Sequence, residues 1–200
     1  MERTRIGVTL HEAEPLQNKS ISDNVDPVLS LQGVGWLLRK ALGVATVTQS
    51  LRQSFTTGED GKPVAQITID QFVTGGMKGT TENRTLDWQY RGHSDWLFGT
   101  LQGRSRYTTL KAVVDESKGK GVVEEDAKFL CEGWLKETEE GEVVESFVDN
   151  EDAKWTGWQI WGFVEENGER RLARSFVIRR KDKDEVVRVR LYYDWAGDLE

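Results

Sequence analysis

Cysteine and histidine are almost missing from this chain, with one Cys and two His in 200 residues. The lone Cys131 excludes an internal disulfide framework. It alternates with apolar neighbours and reads as a buried thiol, with no base indicated nearby to make it a nucleophile. His11, His93 and one cysteine give no metal-ligand spacing, so neither a metal nor a cofactor is expected. A basic excess is missing too. The net charge is −7 and the pI about 5.1, which disfavours nucleic acid as a partner, because a duplex-binding surface is basic. The opening stretch, MERTRIGVTLHEAE, has charges but no apolar run of signal-peptide length. No stretch approaches a membrane-spanning helix. Together these absences point by default to a cytoplasmic protein.

Tryptophan, in contrast, is abundant, with eight copies. Each brings a large apolar face and one N–H donor, suited to core filling or to the wall of an aromatic pocket. One stretch stands apart from the rest, Ser22 to Lys40, SDNVDPVLSLQGVGWLLRK. Asp26 can cap a helix start, and Pro27 sits where a missing N–H costs nothing. Val28, Leu29 and Leu31 come next, and Gly33-Val34-Gly35 breaks the run. Trp36-Leu37-Leu38 then leads to Arg39-Lys40, cations that suit a helix C-terminus. The reading is helix, glycine turn, helix over about 26–42, with Gly43 as the stop.

Beyond Gly43 the chain reads mostly as β-strand. Val44 to Phe55 fits a helical face, yet its threonines and alternation favour a strand. Gly58 to Gly61 is a turn and Val64 to Val73 the returning strand. Gly75, Gly76 and Gly79 make a joint. Arg84 to Tyr90 and Trp96 to Tyr107 read as strands, separated by a polar turn at Gly92 to Asp95. Lys111 to Lys128 is rich in charge and glycine and is expected to be a solvated loop insertion. Val143 to Val148 is a strand. Trp155 to Val164, WTGWQIWGFV, is apolar on both faces, which predicts burial on both sides or a cavity on one. Asn167-Gly168 is a tight hairpin turn before Leu172 to Arg180, and Glu185 to Trp195 is the last strand. Short strands with evenly spaced turns predict an all-β fold. Closure would remove hazardous apolar edges. The expectation is a single domain, an antiparallel up-and-down β-barrel of about ten strands. Ile6 to Leu10 is a further short-strand candidate, and Pro15 is read as a break.

The order Ser22, Asn24, Asp26, Gly33-Val34-Gly35, Arg39-Lys40 resembles the helix–turn–helix segment of the intracellular fatty-acid-binding proteins, small barrels whose helical pair covers the cavity mouth. A second likeness lies in the last strand, EVVRVRLYYDW, where Arg190-Leu191-Tyr192 resembles the Arg-x-Tyr of that family. This chain is longer, and Leu16 to Ile21 lacks the tryptophan of the family's first strand. The resemblance therefore implies a relative within the calycins, lipocalins and fatty-acid-binding proteins. It implies a lid over a cavity, Arg190 and Tyr192 pointing inward with Arg188 on the same face, and a carboxylate held by guanidinium and phenol. Alternation alone leaves the opposite open, with these arginines outward and Val187, Val189, Leu191 and Tyr193 in the core.

Trp36, Trp88, Trp158 and Trp161 are candidate cavity walls, although each could be plain core. Alternation does not say which of Trp158 and Trp161 faces inward. Ser94, His93 and Asp95 are adjacent, unlike the members of a catalytic triad, which the fold brings together. Thr74 to Thr81 lacks the spacing of a phosphate loop. Asp70, Glu82, Asp87 and Glu132 are candidate buried acids, and an acid–base pair among them would suit isomerase or cyclase chemistry. The first expectation is carriage of a hydrophobic small molecule, a fatty acid or relative where the resemblance holds. The alternative is an isomerase or cyclase acting on a hydrophobic metabolite in the same cavity. A third is a filled barrel with no ligand.

Overall fold

A computed structural model describes residues 13–45, 47–58, 61–73 and 77–198. The expected strand at Ile6 to Leu10, His11 and the glycines 75 and 76 lie outside these residues. Ten strands form one antiparallel sheet: β1 (Ala13–Gln17), β2 (Val47–Thr57), β3 (Pro63–Val73), β4 (Met77–Thr85), β5 (Arg91–Asp95), β6 (Gly99–Thr108), β7 (Val143–Asn150), β8 (Trp155–Glu166), β9 (Glu169–Arg180) and β10 (Val186–Asp198). Their order is β4-β3-β2-β1-β10-β9-β8-β7-β6-β5. The sheet curls so that β4 at one edge and β5 at the other line the same hollow. No ladder joins those edges among the described residues. A bridge between Asp87 and Arg106 ties the end of β4 to β6, and the fold is a curled, barrel-like sheet with a seam.

Turn chemistry sets the register. Asn167 and Gly168 both have positive φ, 56° and 77°, which a two-residue hairpin needs. β8 and β9 therefore pair without a break from Trp155 with Arg180 to Glu166 with Glu169. The expected hairpin of β2 and β3 also forms, running from Val47 with Val73 to Thr57 with Pro63. Pro15 does not break the chain but sits within β1 at a register shift against β10, a place where a residue lacking an N–H is tolerated. The polar turn expected at Gly92 to Asp95 is part of β5, and the reversal falls at Trp96 to Phe98 before Gly99, whose φ is +71°.

The helical pair is α1 (Asp26–Leu31) and α2 (Trp36–Val44), linking β1 to β2. Asp26 is not the cap. Asn24 Oδ1 accepts the Asp26 N–H at 2.9 Å, while the Asp26 carboxylate accepts from Arg39 at 3.2 Å. Arg39 and Lys40 lie inside α2 rather than at its end. The cation at that C-terminus is Lys19, which donates to the carbonyls of Gly43 at 2.7 Å, Leu42 and Ala45, where the helix dipole favours it.

The solvated loop expected at 111–128 is instead helical, α3 (Leu110–Ser117) and α4 (Val122–Cys131), with α5 (Lys136–Glu140) after it. Thr109 caps α3 by accepting the Ala112 N–H at 3.2 Å. Leu110 and Val113 in α3, and Ala127 and Leu130 in α4, are each spaced by three residues. They pack on Val143, Ile160, Ala173 and Val177 of the outer sheet face. Asp126 then bonds Arg179 at 3.0 Å and Arg188 at 2.7 Å, fixing α4 to β9 and β10. Burying apolar residues on one helical stripe outweighs the surrounding charge. The sheet thus has two cores. Leu51, Ile67, Ile69, Val144 and Trp161 fill part of the inner side, and the helices cover β7 to β9 outside.

Candidate functional site

Inside the curl is a cavity of about 460 Å³. Alternation along three strands builds its walls. β8 contributes Trp155, Gly157 and Gln159; β9 contributes Arg174, Phe176 and Ile178; β6 contributes Leu101, Gly103 and Ser105. α1 covers one end with Val28 and Gln32, beside Phe98, whose ring meets Trp155 edge-on at 5.7 Å. A Cβ at Gly157 would stand 3.1 Å from Ile178 Cδ1 and 3.6 Å from the Trp155 ring. The missing side chain therefore lets those two walls close together.

The floor is polar. Arg174 is buried, stacked over the Trp161 ring at 4.4 Å and near the Phe176 ring at 4.9 Å. Its guanidinium donates to Gln159 Oε1 at 2.8 Å and Gln49 Oε1 at 3.2 Å. The same Gln159 oxygen accepts the Trp161 indole N–H at 2.7 Å. With its oxygen engaged twice, the amide is oriented, and among the described residues nothing accepts from its –NH2, on a residue that lines the cavity. Burial pulls the Arg174 guanidinium down from its ordinary value, against the support of Tyr193 beside it.

Across the cavity, Glu82 on β4 accepts from Arg84 at 2.5 and 3.1 Å and from Gln71 at 3.2 Å. Burial alone would raise this carboxyl, but the Arg84 and Arg174 charges and the Arg84 bonds outweigh it and hold it below its ordinary 4.5. Glu82 is therefore a fixed anion at neutral pH, unsuited to giving or taking a proton there. Asp87 pairs with Arg91, both contacts at 2.6 Å, and that bond holds it low. Cys131 sits outside the cavity, donating weakly to the Leu110 carbonyl at 3.7 Å. Burial pushes its thiol up to about 12, aided by Glu145 and Glu132, which makes it inert as a nucleophile.

The residues singled out from sequence fall in different places. Trp161 is fully buried on the inner face and forms a second layer beneath Arg174. Trp158 faces outward and donates to Glu145 at 2.9 Å. Trp88 has a left-handed φ of 62° and lies between the Arg104 and Arg106 guanidiniums at 4.1 and 4.3 Å. Trp88 and Trp158 line a smaller outer hollow of about 260 Å³ under α3 and α4. Trp36 is 63% exposed on α2 and does not reach the cavity.

The inward placement of Arg188, Arg190 and Tyr192 is corrected. All three are on the outer face, and Val189, Leu191 and Tyr193 are buried on the inner one. Arg188 is held by Asp126. Arg190 donates to Ser175 Oγ at 2.8 Å, to the Gly133 carbonyl at 3.3 Å and to the Glu132 carbonyl, over the Trp134 ring at 4.7 Å. Tyr192 packs against the outer core. Sequence reasoning missed Arg174. Its signal was a charge inside the alternation Leu172, Arg174, Phe176, Ile178, on a face otherwise apolar.

No family model matches this chain. It is 28% identical over 199 residues to the probable pericyclase scpY of Mollisia scopiformis, covering 98% of this chain and 96% of that protein. It is 26% identical over 180 residues to pericyclase pydY of Acremonium sp, covering 90% and 88%. The cavity's mixed walls, aromatic and aliphatic above a polar floor, suit a hydrophobic small molecule. Among the described residues, no cluster of His, Cys, Asp and Glu is placed to hold a metal, and no helix is long and apolar enough to cross a membrane.

Proposed function

We propose that this protein is a cyclase of the pericyclase kind, acting on an unsaturated hydrophobic metabolite in the cavity inside the curled sheet. The observation that carries the reading is its similarity, along almost the whole chain, to two proteins named pericyclases. The chemistry of the site supports it. A pericyclic ring closure is concerted: bonds form and break in one cyclic array, without a nucleophile and without proton transfer. Catalysis then asks for a folded substrate conformation, exclusion of competing conformers and donors that draw electron density from a conjugated carbonyl. Trp155, Phe176, Ile178 and Leu101 supply shaped apolar walls. The oriented Gln159 –NH2, with Arg174 bonded to its oxygen, supplies a donor that the protein itself leaves unoccupied. A carboxylate locked as an anion, such as Glu82, is no obstacle to a step that moves no proton.

The order of the sheet also supports a calycin relationship: β1 lies between β2 and the last strand, and the helical pair sits between β1 and β2. Simple carriage is the competing reading, and it loses the Arg190–Tyr192 pair on which it leaned.

The test is a synthetic linear polyene with a conjugated diene and a distal alkene conjugated to a carbonyl. Its [4+2] closure turns three π bonds into two C–C σ bonds and one new π bond, with no atom lost. With protein, the rate should rise above buffer and one stereoisomer should dominate on chiral chromatography. Gln159→Leu should slow the reaction by roughly tenfold or more, about 1.4 kcal/mol of barrier per factor of ten. A polyene that binds yet closes at the buffer rate, with the buffer isomer ratio, would make the protein a carrier.

A further inference from the structure

Charge around the cavity does not balance. Three cationic side chains line it, those of Arg84, Arg91 and Arg174, against the carboxylate of Glu82. Glu82 is taken by Arg84, and Asp87 answers Arg91. Arg174 has no carboxylate within ion-pair distance among the described residues. Its Nε–H is buried without an acceptor among the described residues. It is bonded to two neutral amide oxygens, from Gln49 and Gln159, and stacked on the Trp161 ring at 4.4 Å. Amides and ring faces solvate a cation but do not neutralise it. A buried guanidinium with no carboxylate bonded to it is costly, and a ligand that brings a negative charge into contact with it offsets that cost on binding.

We infer that the floor of the cavity is an oxyanion site, and that the substrate carries a carboxylate or an ionised enol at the end that seats on Arg174 and the Gln159 –NH2. This rests on the cavity being the reactive site proposed above, and it specifies what enters. The cation–π stack on Trp161 occupies the face of the Arg174 guanidinium and leaves its edge, where the N–H groups lie, for acceptors in the plane. The uncharged part of the substrate then runs past Phe176, Trp155 and Ile178 toward α1. The negative charge on a conjugated enolate oxygen would meet the same donors that polarise a carbonyl, so anchoring and activation would share one set of groups.

Two dyes with one aromatic framework test this: 8-anilinonaphthalene-1-sulfonate, an anion, and N-phenyl-1-naphthylamine, its uncharged counterpart. Each is titrated into the full chain, following dye emission and tryptophan quenching. The anion should bind at least tenfold tighter at low salt. Arg174→Met should erase that preference while leaving the uncharged dye's affinity unchanged. Gln159→Glu keeps the side-chain shape and places a carboxylate beside Arg174, so it should also erase the preference, and it covers the case in which Arg174→Met fails to fold. Equal binding of the two dyes by the native chain, or an anion preference that survives Gln159→Glu, would overturn the inference and leave the cyclase reading standing. Failure of both dyes to bind would overturn both. A chain that prefers the anion but closes no polyene would lose only the cyclase reading.

Discussion

At Arg190 the face of one strand decides what a side chain does. Pairing of Arg190 with Ser175 on β9 directs the guanidinium away from the cavity, onto the carbonyls just after α4. Its three hydrogen bonds fasten a loop to the sheet, and burial draws its pKa down. Arg190→Met should therefore cost stability, about 1–3 kcal/mol for lost bonds to a charged donor, read from chemical denaturation. Its affinity for either naphthalene dye should stay at the native value. A variant of native stability that lost anion binding would restore an inward role for Arg190. The triplet Arg190-Leu191-Tyr192 is legible in the sequence, but its direction is not, because a one-residue shift of register exchanges the two faces of a strand. Arg174 carries the opposite lesson. A charged residue amid an apolar alternation is turned inward by the fold and lines the cavity.

Among the elements, the hairpin of β8 and β9 was readable because Asn167-Gly168 fixes its turn and both faces of β8 are apolar. Both outcomes expected for such a strand hold at once, with a cavity on one side and helices on the other. α3 and α4 were hidden for a physical reason. Their apolar stripe is narrow, Leu110, Val113, Ala127 and Leu130, and the exposed remainder is rich in Lys, Glu, Asp and Gly, a composition shared with loops. Gly162 on β8 marks how closely the segment after α4 approaches. A Cβ there would meet Thr138 Cγ2 at 2.6 Å and the Trp134 ring at 2.9 Å, in a place where Thr138 and Phe163 exchange two hydrogen bonds. Gly162→Ala should cost about 1–3 kcal/mol, as overpacking does, seen as a lower denaturation midpoint with an unchanged m-value. No loss of stability would mean that α5 packs more loosely than its contacts imply.

For the whole molecule, curling one sheet solves two problems. It hides the apolar inner face, and it leaves a hollow that side chains from β8 and β9 do not fill. Among the described residues closure is incomplete as a ladder, and the bridge from Asp87 to Arg106, with Trp88 held between two guanidiniums, ties the seam. The strand rhythm and the helical pair made the all-β architecture readable. Which residues share the cavity depends on curvature, which brings β4 to face β9 across the interior, and local patterns carry no record of that. Gly103 offers direct access to the central claim. It lines the cavity, and a Cβ there would find its nearest neighbours at 3.8 and 3.9 Å, so a larger side chain can enter the space without a clash at its root. The deciding measurement is the closure of the linear polyene by native protein and by Gly103→Leu, matched for folding by circular dichroism and melting temperature. Native protein should give a raised rate and one dominant isomer, and the filled cavity should return both to their values in buffer. Equal rates and isomer ratios from the two proteins would place the chemistry elsewhere and contradict this account.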